Sequence, residues 1–343
     1  MSEPIQINPL SKTPIYKQII QSVRSAIEDG SLNYGQRLPS INSIRGRYFI
    51  SRDTVIKAYQ ELKATGVVAS SPGKGYFVAC SKIGKERHIL LLLDEFNVYK
   101  EIFYHAFREK LADKATIDLY FHHYDQRTYR SLIEASLDRY TDYVITPLTD
   151  NMSIEDLKHN LGGQNLYILD QGYVDLGRDY PSVCQDFKLD IVRALKSGLS
   201  VLKKYQKLIL VMNRANDLSR QQIQNEISAG FQTFCKKNNM NGEMITEIGN
   251  RNPKARECYL IYPDSELVAM IHKMQTPGIK KANIGIISFN EAPLKVVAAG
   301  GMSTLSTDFR AMGLKMAEMV LERSDAHVKN RYGLTIRASL QPG

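Results

Sequence analysis

Five consecutive aliphatic residues, Ile89 to Leu93, constrain this chain more than any other stretch. A strand covered on one face alternates apolar and polar side chains, whereas an unbroken run demands cover on both faces. Further short apolar runs follow at Ile117–Phe121, Tyr143–Thr146, Leu166–Leu169, Lys207–Met212, Cys258–Tyr262 and Ile284–Ser288, with a weaker one at Met244–Ile248. Segments of helical period lie between them: Tyr104–Lys114, Tyr129–Tyr140, Phe187–Tyr205, Arg220–Asn238, Ser265–Met274 and Thr307–Glu322. Such alternation predicts an α/β domain of parallel sheets with helices on both faces. Residues 88–343 are long for one doubly wound sheet, so two similar lobes are expected.

The chain before this run has a different pattern. Pro14 to Glu28 reads as a helix with an apolar stripe of Ile15, Ile19, Val23 and Ile27. A short helix is expected from Ser40, burying Ile41 and Ile44. Ser51 is a good N-cap for a helix running to about Lys63, whose hydroxyl can accept an N–H of the first turn. Val55, Ala58, Tyr59 and Leu62 form its apolar face, and Arg52, Asp53, Lys57, Gln60 and Lys63 the opposite one. Gly66 stops it. Val67-Val68 and Tyr76–Val78 then read as strands around the turn Ser70–Gly75. The pattern is a winged helix-turn-helix, a module that lays its second helix in the major groove of DNA. The polar stretch 80–87 reads as a linker between a domain at 1–79 and another at 88–343.

GQRLPS, SRDTV with AYQELKATGVV behind it, and GKGYFV resemble the DNA-binding domain of GntR-type bacterial transcription regulators. The resemblance implies DNA contacts at Arg52 and Thr54 in the recognition helix and at Gly73 and Gly75 in the wing. Where that family often has an acidic residue followed by a base-contacting Arg, this chain has Ile41 and Asn42. Asn42 suits adenine, and Arg45 is the alternative. Arg37, Ser40, Ser51, Lys57 and Lys74 complete the candidate DNA surface. Residues 88–340 resemble the sugar-binding domains of LacI-type repressors and ribose-binding proteins. The anchors are Leu169-Asp170, Ala229-Gly230-Phe231, Tyr262-Pro263-Asp264, Ile287–Glu291, Ser303-Thr304-Leu305 and Thr335–Ser339. The combination is similar to AraR-type arabinose repressors. It implies a homodimer that binds operator DNA and answers to a small-molecule effector.

Charge is distributed accordingly. Of the net +9, residues 1–88 carry +7 and residues 89–343 only +2, so the basic excess coincides with the helix-turn-helix, as phosphate binding requires. The four cysteines lie far apart with no CxxC, which points to free thiols in a reducing cytoplasm. No signal peptide or membrane-length apolar run is visible.

In two-lobed α/β domains ligands bind at the carboxyl ends of strands. The strand-end candidates here are Asp94, Glu95, Phe96, Asn97, Thr146, Asp170, Gln171, Asn213, Arg214, Asp264 and Asn290. Carboxylates, amides and an aromatic face suit a polyol. Clustered Arg or Lys would suit a phosphate, and Arg214 is alone among the candidates, so a neutral sugar is expected. His122 and His123 point to opposite faces of a strand and make a poor metal pair. No nucleophile elbow, phosphate loop or cofactor motif appears, so neither catalysis nor a cofactor is expected. The alternative reading is a regulator whose C-terminal domain only dimerises or binds a non-sugar metabolite.

Overall fold

The computed structural model describes the chain apart from residues 1–4, 10, 12, 65, 80–86, 138, 149–150, 162–163, 171–178, 276–282 and 341–343, and apart from the side chains of 28, 64, 151–154, 170 and 299. It divides into two compact units, Met1–Glu86 and Arg87–Gly343. Most of the polar stretch expected as a linker, residues 80–86, lies outside the described residues. Its last residue, Arg87, opens a strand and is buried against Asp142 at 2.9 Å.

The first unit contains α1 (Ile15–Glu28), α2 (Ile41–Tyr48), α3 (Arg52–Ala64), β1 (Val68–Ser71) and β2 (Gly75–Val78). Its core takes Ile19 and Val23 from α1, Ile44 from α2, and Val55, Ala58, Tyr59 and Leu62 from α3. Ser40 caps α2 by accepting from Ser43 N at 3.1 Å, and Ser51 caps α3 by accepting from Thr54 N at 3.1 Å. The hairpin β1–β2 pairs Val68 with Val78 and Ser71 with Gly75. Gly35 to Leu38 adds a third, antiparallel line to it through Val78 N to Gln36 O (2.9 Å) and Leu38 N to Tyr76 O (2.9 Å). Gly75 has φ +99°, a conformation that favours glycine, and a Cβ there would lie 3.3 Å from Arg37 Nε.

The second unit holds two six-stranded sheets. The first, in order β13-β7-β6-β5-β3-β4, uses β3 (Arg87–Leu93), β4 (Ala115–Phe121), β5 (Asp142–Ile145), β6 (Leu166–Asp170), β7 (Ser182–Cys184) and β13 (His327–Lys329). All its pairings are parallel. Ile89, Leu91 and Leu93 pack on one face, with α4 (Val98–Leu111) and a late helix. Leu90 and Leu92 pack on the other, with α5 (Gln126–Ser136) and α6 (Asn151–Leu161). The unbroken aliphatic run therefore has the two-sided cover it demanded. The second sheet has order β14-β12-β11-β10-β8-β9. Its strands are β8 (Lys207–Val211), β9 (Gly242–Ile245), β10 (Glu257–Ile261), β11 (Gly285–Phe289), β12 (Ser303–Thr307) and β14 (Tyr332–Thr335). Only β14 runs antiparallel within it. Around it stand α7 (Phe187–Ser197), α8 (Leu199–Leu202), α9 (Leu218–Asn238), α10 (Asp264–Gln275) and the short α11 (Pro293–Val297). The helix α12 (Phe309–Glu322) returns to the first lobe and packs on α4.

The chain thus crosses between lobes after β7, after β12 and after β13. These crossings are bonded to one another: Asn330 N to Cys184 O (2.9 Å), Asp308 N to Arg331 O (2.9 Å), Asn330 Nδ2 to Asp308 O (3.1 Å), and the Thr307 hydroxyl to the Gln185 side-chain carbonyl.

Three departures from the sequence reading have physical causes. The helix expected over Phe187–Tyr205 breaks at Gly198, where a Cβ would come within 2.3 Å of Leu334 on β14. The helix expected from Thr307 begins at Phe309, because Thr307 completes β12 and Asp308 caps by accepting from Ala311 N at 2.8 Å. The helix α6 and the strands β7, β12, β13 and β14 are additional. The four strands are short, polar or glycine-containing, and acquire strand geometry only by pairing with a neighbour.

In each lobe one glycine lies where two helices meet backbone to side. A Cβ on Gly230 of α9 would lie 2.6 Å from Lys188 O on α7, and one on Gly313 of α12 would lie 2.4 Å from Phe103 O on α4. Both meet backbone, which cannot rotate away. Gly230→Ala and Gly313→Ala are each expected to destabilise the second unit by about 1–3 kcal/mol or more, read as a lower urea midpoint; Gly333→Ala, which meets nothing within 4 Å, serves as the control.

Candidate functional site

In the first unit, most of the candidate DNA contacts are open to solvent. Arg37, Ser40, Asn42, Arg45, Ser51, Arg52, Lys57, Gly73 and Lys74 are exposed, and Thr54 and Gly75 half-buried. Two candidates already have local partners. The Thr54 hydroxyl lies 2.8 Å from Ser51 Oγ, and the Lys57 ammonium sits 3.9 Å from the centre of the Tyr16 ring on α1. The Tyr59 hydroxyl donates to Pro39 O at 2.7 Å and fixes the start of α2 against α3. At the wing tip, Lys74 N donates to Ser71 O at 3.0 Å, which turns the Lys74 side chain outward.

In the second unit, the carboxyl ends of β3, β4, β8, β10 and β11 bring polar side chains of both lobes together. Asp94, just after β3, is buried. Its Oδ1 accepts from Lys100 Nζ (3.0 Å) and Glu95 N (3.0 Å), and its Oδ2 accepts from the Tyr124 hydroxyl (2.8 Å). Desolvation pushes this carboxyl up, but the Lys100 charge and these hydrogen bonds outweigh it and hold the group below its usual range. Asn97 caps α4, accepting from Tyr99 N (3.1 Å) and Lys100 N (2.9 Å), and donates its amide to Glu95 Oε1 (3.1 Å).

Tyr124 is carried on a tight turn in which His123 and Tyr124 both have left-handed backbones, with φ of 49° and 58°. Two bonds hold the turn: His123 N to Asp94 O (2.7 Å) and Tyr124 N to His122 Nδ1 (3.2 Å). The other ring nitrogen of His122 faces Thr146 O at 3.0 Å. A carbonyl can only accept, so Nε2 carries the proton and Nδ1 is the acceptor. His122 is therefore a neutral structural histidine. Burial pushes its pKa down to about 4, against the pull of Asp94.

Two bridges span the lobes. Arg220, near the start of α9, reaches Glu95 Oε2 at 2.8 Å and lies 4.3 Å from the centre of the Tyr124 ring. The Tyr99 hydroxyl donates to Asp264 Oδ2 at 3.1 Å. Lys295, only 5% exposed, meets Asp264 Oδ1 at 2.6 Å and donates to Phe289 O (2.8 Å), Asn290 O (3.1 Å) and the Tyr99 hydroxyl (3.2 Å).

Of the sequence candidates, Asp94, Glu95, Asn97 and Asp264 are thus drawn into one interlobe network. Asn290 joins through its carbonyl. Thr146 is fully buried beside His122, and its hydroxyl has no hydrogen-bond partner among the described atoms. Phe96 is 71% exposed, edge-on to Phe121. Asn213 and Arg214 are exposed. Asp170 ends β6, where it pairs with Cys184, and Gln171 lies outside the described residues.

Sequence reasoning missed Tyr99, Lys100, Arg220 and Lys295. Each lies on a helix rather than at a strand end, two to six residues beyond the strand-end candidates Asn97, Arg214 and Asn290. Arg214 is consequently not the lone cation here.

The neutral His122 fixes a pH dependence. The unfolded chain binds a proton near the ordinary value of 6.5, and the folded chain only near 4. Stability from this group is complete above pH 6.5 and falls as pH drops toward 4, by roughly 3 kcal/mol at most. Urea midpoints measured between pH 7 and pH 5 are expected to fall for the wild type and to fall less for His122→Gln, whose amide can still donate to Thr146 O.

Comparison with known proteins matches residues 15–78 to the family model "Bacterial regulatory proteins, gntR family". The repressor YtrA of Bacillus subtilis is 37% identical over 75 residues, which is 22% of this chain and 58% of YtrA. The match therefore spans little more than half of that relative. Residues of the second unit superpose on a LacI family regulator from Silicibacter pomeroyi with TM-score 0.60 at 14% identity, covering 74% of this chain and 99% of the other. The trehalose repressor from Escherichia coli gives TM-score 0.59 at 11% identity, covering 73% and 100%. Residues 15–78 thus form a winged helix-turn-helix domain of the gntR family, joined in this chain to a two-lobed α/β domain with the fold of LacI-family regulators.

Proposed function

We propose that this chain is a DNA-binding transcription regulator, a repressor of sugar-utilisation genes, whose operator affinity is set by a small neutral sugar held between the lobes of its second unit. The observation that carries the sugar reading is the charge pairing around the cleft. Lys100 faces Asp94, Arg220 faces Glu95, and Lys295 faces Asp264, each within 3.0 Å. An anionic effector that used any of these three cations would have to displace its carboxylate. A polyol instead offers donors and acceptors together and can share them. The names of similar proteins, a repressor and a trehalose repressor among them, support regulation over catalysis.

One winged helix covers too little DNA for genomic specificity, so the functional form is a homodimer on a palindromic operator, acting in the cytoplasm. Effector binding shifts the balance between lobe arrangements, and with it the pairing of the DNA-binding units. The direct lobe-to-lobe bonds of Arg220 and Tyr99 favour one other reading, in which this unit serves dimerisation and needs no sugar. Calorimetry against a panel of pentoses, deoxyhexoses and their phosphates separates the two. A neutral sugar is expected to bind and Asp170→Ala to abolish the response while operator binding persists; tight binding of phosphorylated sugars alone, or of nothing in the panel, rejects the sugar reading.

The DNA surface divides into two kinds of contact. Arg52, in the first turn of α3, is expected to read a base, and Arg52→Ala to weaken specific operator binding by ~1–3 kcal/mol. Lys74, at the wing tip, is expected to meet phosphate, so Lys74→Ala weakens all sequences alike and lowers the salt slope by about one. Fluorescence anisotropy at several salt concentrations, with specific and random duplexes, distinguishes them.

A further inference from the structure

Phe49 joins α2 to α3 with a left-handed backbone, φ 53°. Its side chain is 95% exposed. A bulky residue is disfavoured in this conformation, which glycine or asparagine adopts most readily. Two other described helices end on a non-glycine residue in the same conformation, and those residues are Asn239 and Arg323, both polar. A ring left in water gains nothing from burial, and its backbone is strained. Folding stability therefore gives no reason for phenylalanine at this position.

The surroundings indicate what does. The ring stands two residues before Ser51, the N-cap of α3, and three before Arg52. Arg45, Arg47 and Arg52, all within four residues of it in the chain, are exposed, Arg47 lying 5.8 Å from the centre of the Tyr48 ring, and Asp53 is the acidic residue of the first turn of α3. The backbone that carries the ring is held from both sides. The Tyr48 hydroxyl donates to Ile5 O at 2.6 Å, and Ser51 closes the next turn. An exposed apolar ring on a chain segment rich in exposed arginine matches a partner that is polyanionic yet has apolar surface. Duplex DNA is such a partner, through thymine 5-methyl groups in the major groove and through deoxyribose faces.

Resting on the reading of this unit as DNA-binding, we infer that Phe49 is a contact residue of the DNA surface, packing its ring against apolar atoms of the operator beside the N-terminus of α3. The contact adds affinity without adding charge. Its loss is therefore separable from loss of phosphate contacts and from loss of folding.

The test uses the full chain and duplexes enriched from a random library by the wild-type protein. Phe49→Gly is expected to weaken binding to the enriched duplex about tenfold. The slope of affinity against salt is expected to stay unchanged, and Tm to stay equal or rise because the backbone strain is relieved. Phe49→Tyr is expected to bind as the wild type does. Replacing thymine by deoxyuridine assigns the apolar partner: loss of wild-type affinity to the level of Phe49→Gly identifies the methyl groups, and unchanged affinity identifies deoxyribose. Phe49→Gly binding with wild-type affinity overturns the inference, as does a loss of binding that merely accompanies a fall in Tm. If the wild-type protein enriches no sequence, the DNA-binding reading fails and the inference with it; enrichment with an unaffected Phe49→Gly removes the inference alone.

Discussion

The buried pair of Asp94 and Lys100 governs the geometry of the second unit's cleft. A carboxylate and an ammonium taken out of water are tolerated only when matched and hydrogen-bonded. Here Lys100 and the Tyr124 hydroxyl occupy the two oxygens of Asp94, with Glu95 N alongside. That requirement places three elements at once. It anchors the first turn of α4, which carries Lys100 and Tyr99. It draws the strained turn at His123 and Tyr124 toward β3. It points Glu95 outward to Arg220 on the other lobe. Removing either partner leaves a lone buried charge, so the whole wall of the cleft depends on the pair.

The two lobes are joined by structures of unequal strength. Three hydrogen-bonded crossings form a continuous hinge, with Asp308, Asn330 and Cys184 bonded across it. Across the cleft the link is lighter. Arg220 and Glu95 are 43% and 34% exposed at their side chains, and such a pair contributes at most about 1 kcal/mol. Lys295 is stronger, because it is buried and has oxygen partners on both lobes.

The first unit depends on a different device. Its small core is closed by α1, α2, α3 and a three-line sheet, and the GQRL segment belongs to that sheet rather than to a loop. The wing turn is accordingly braced by Arg37 lying over Gly75. The strand and helix limits read from apolar period agree with the structure to within two residues at β3, β8, β10 and α9, where the apolar run or stripe is long. They fail at β12, β13, β14 and α8, where local preference is weak and pairing decides.

By itself the sequence determined the layer plan. The aliphatic run at Ile89–Leu93 needs helices on both of its faces, and the Ser40 and Ser51 caps start two helices in register with their apolar stripes. Those are local properties, fixed by period, capping and turn chemistry. Only the tertiary structure decided which polar groups meet. Lys100, Arg220 and Lys295 are unremarkable helix residues in sequence, and each becomes a member of the cleft because a carboxylate 6 to 125 residues away folds beside it. His122 likewise owes its neutral state to burial, against the pull of Asp94 and of the Thr146 carbonyl, and that carbonyl fixes which ring nitrogen carries the proton. Contact across such separations depends on how two sheets pack through one hinge, and no periodicity along the chain carries that information.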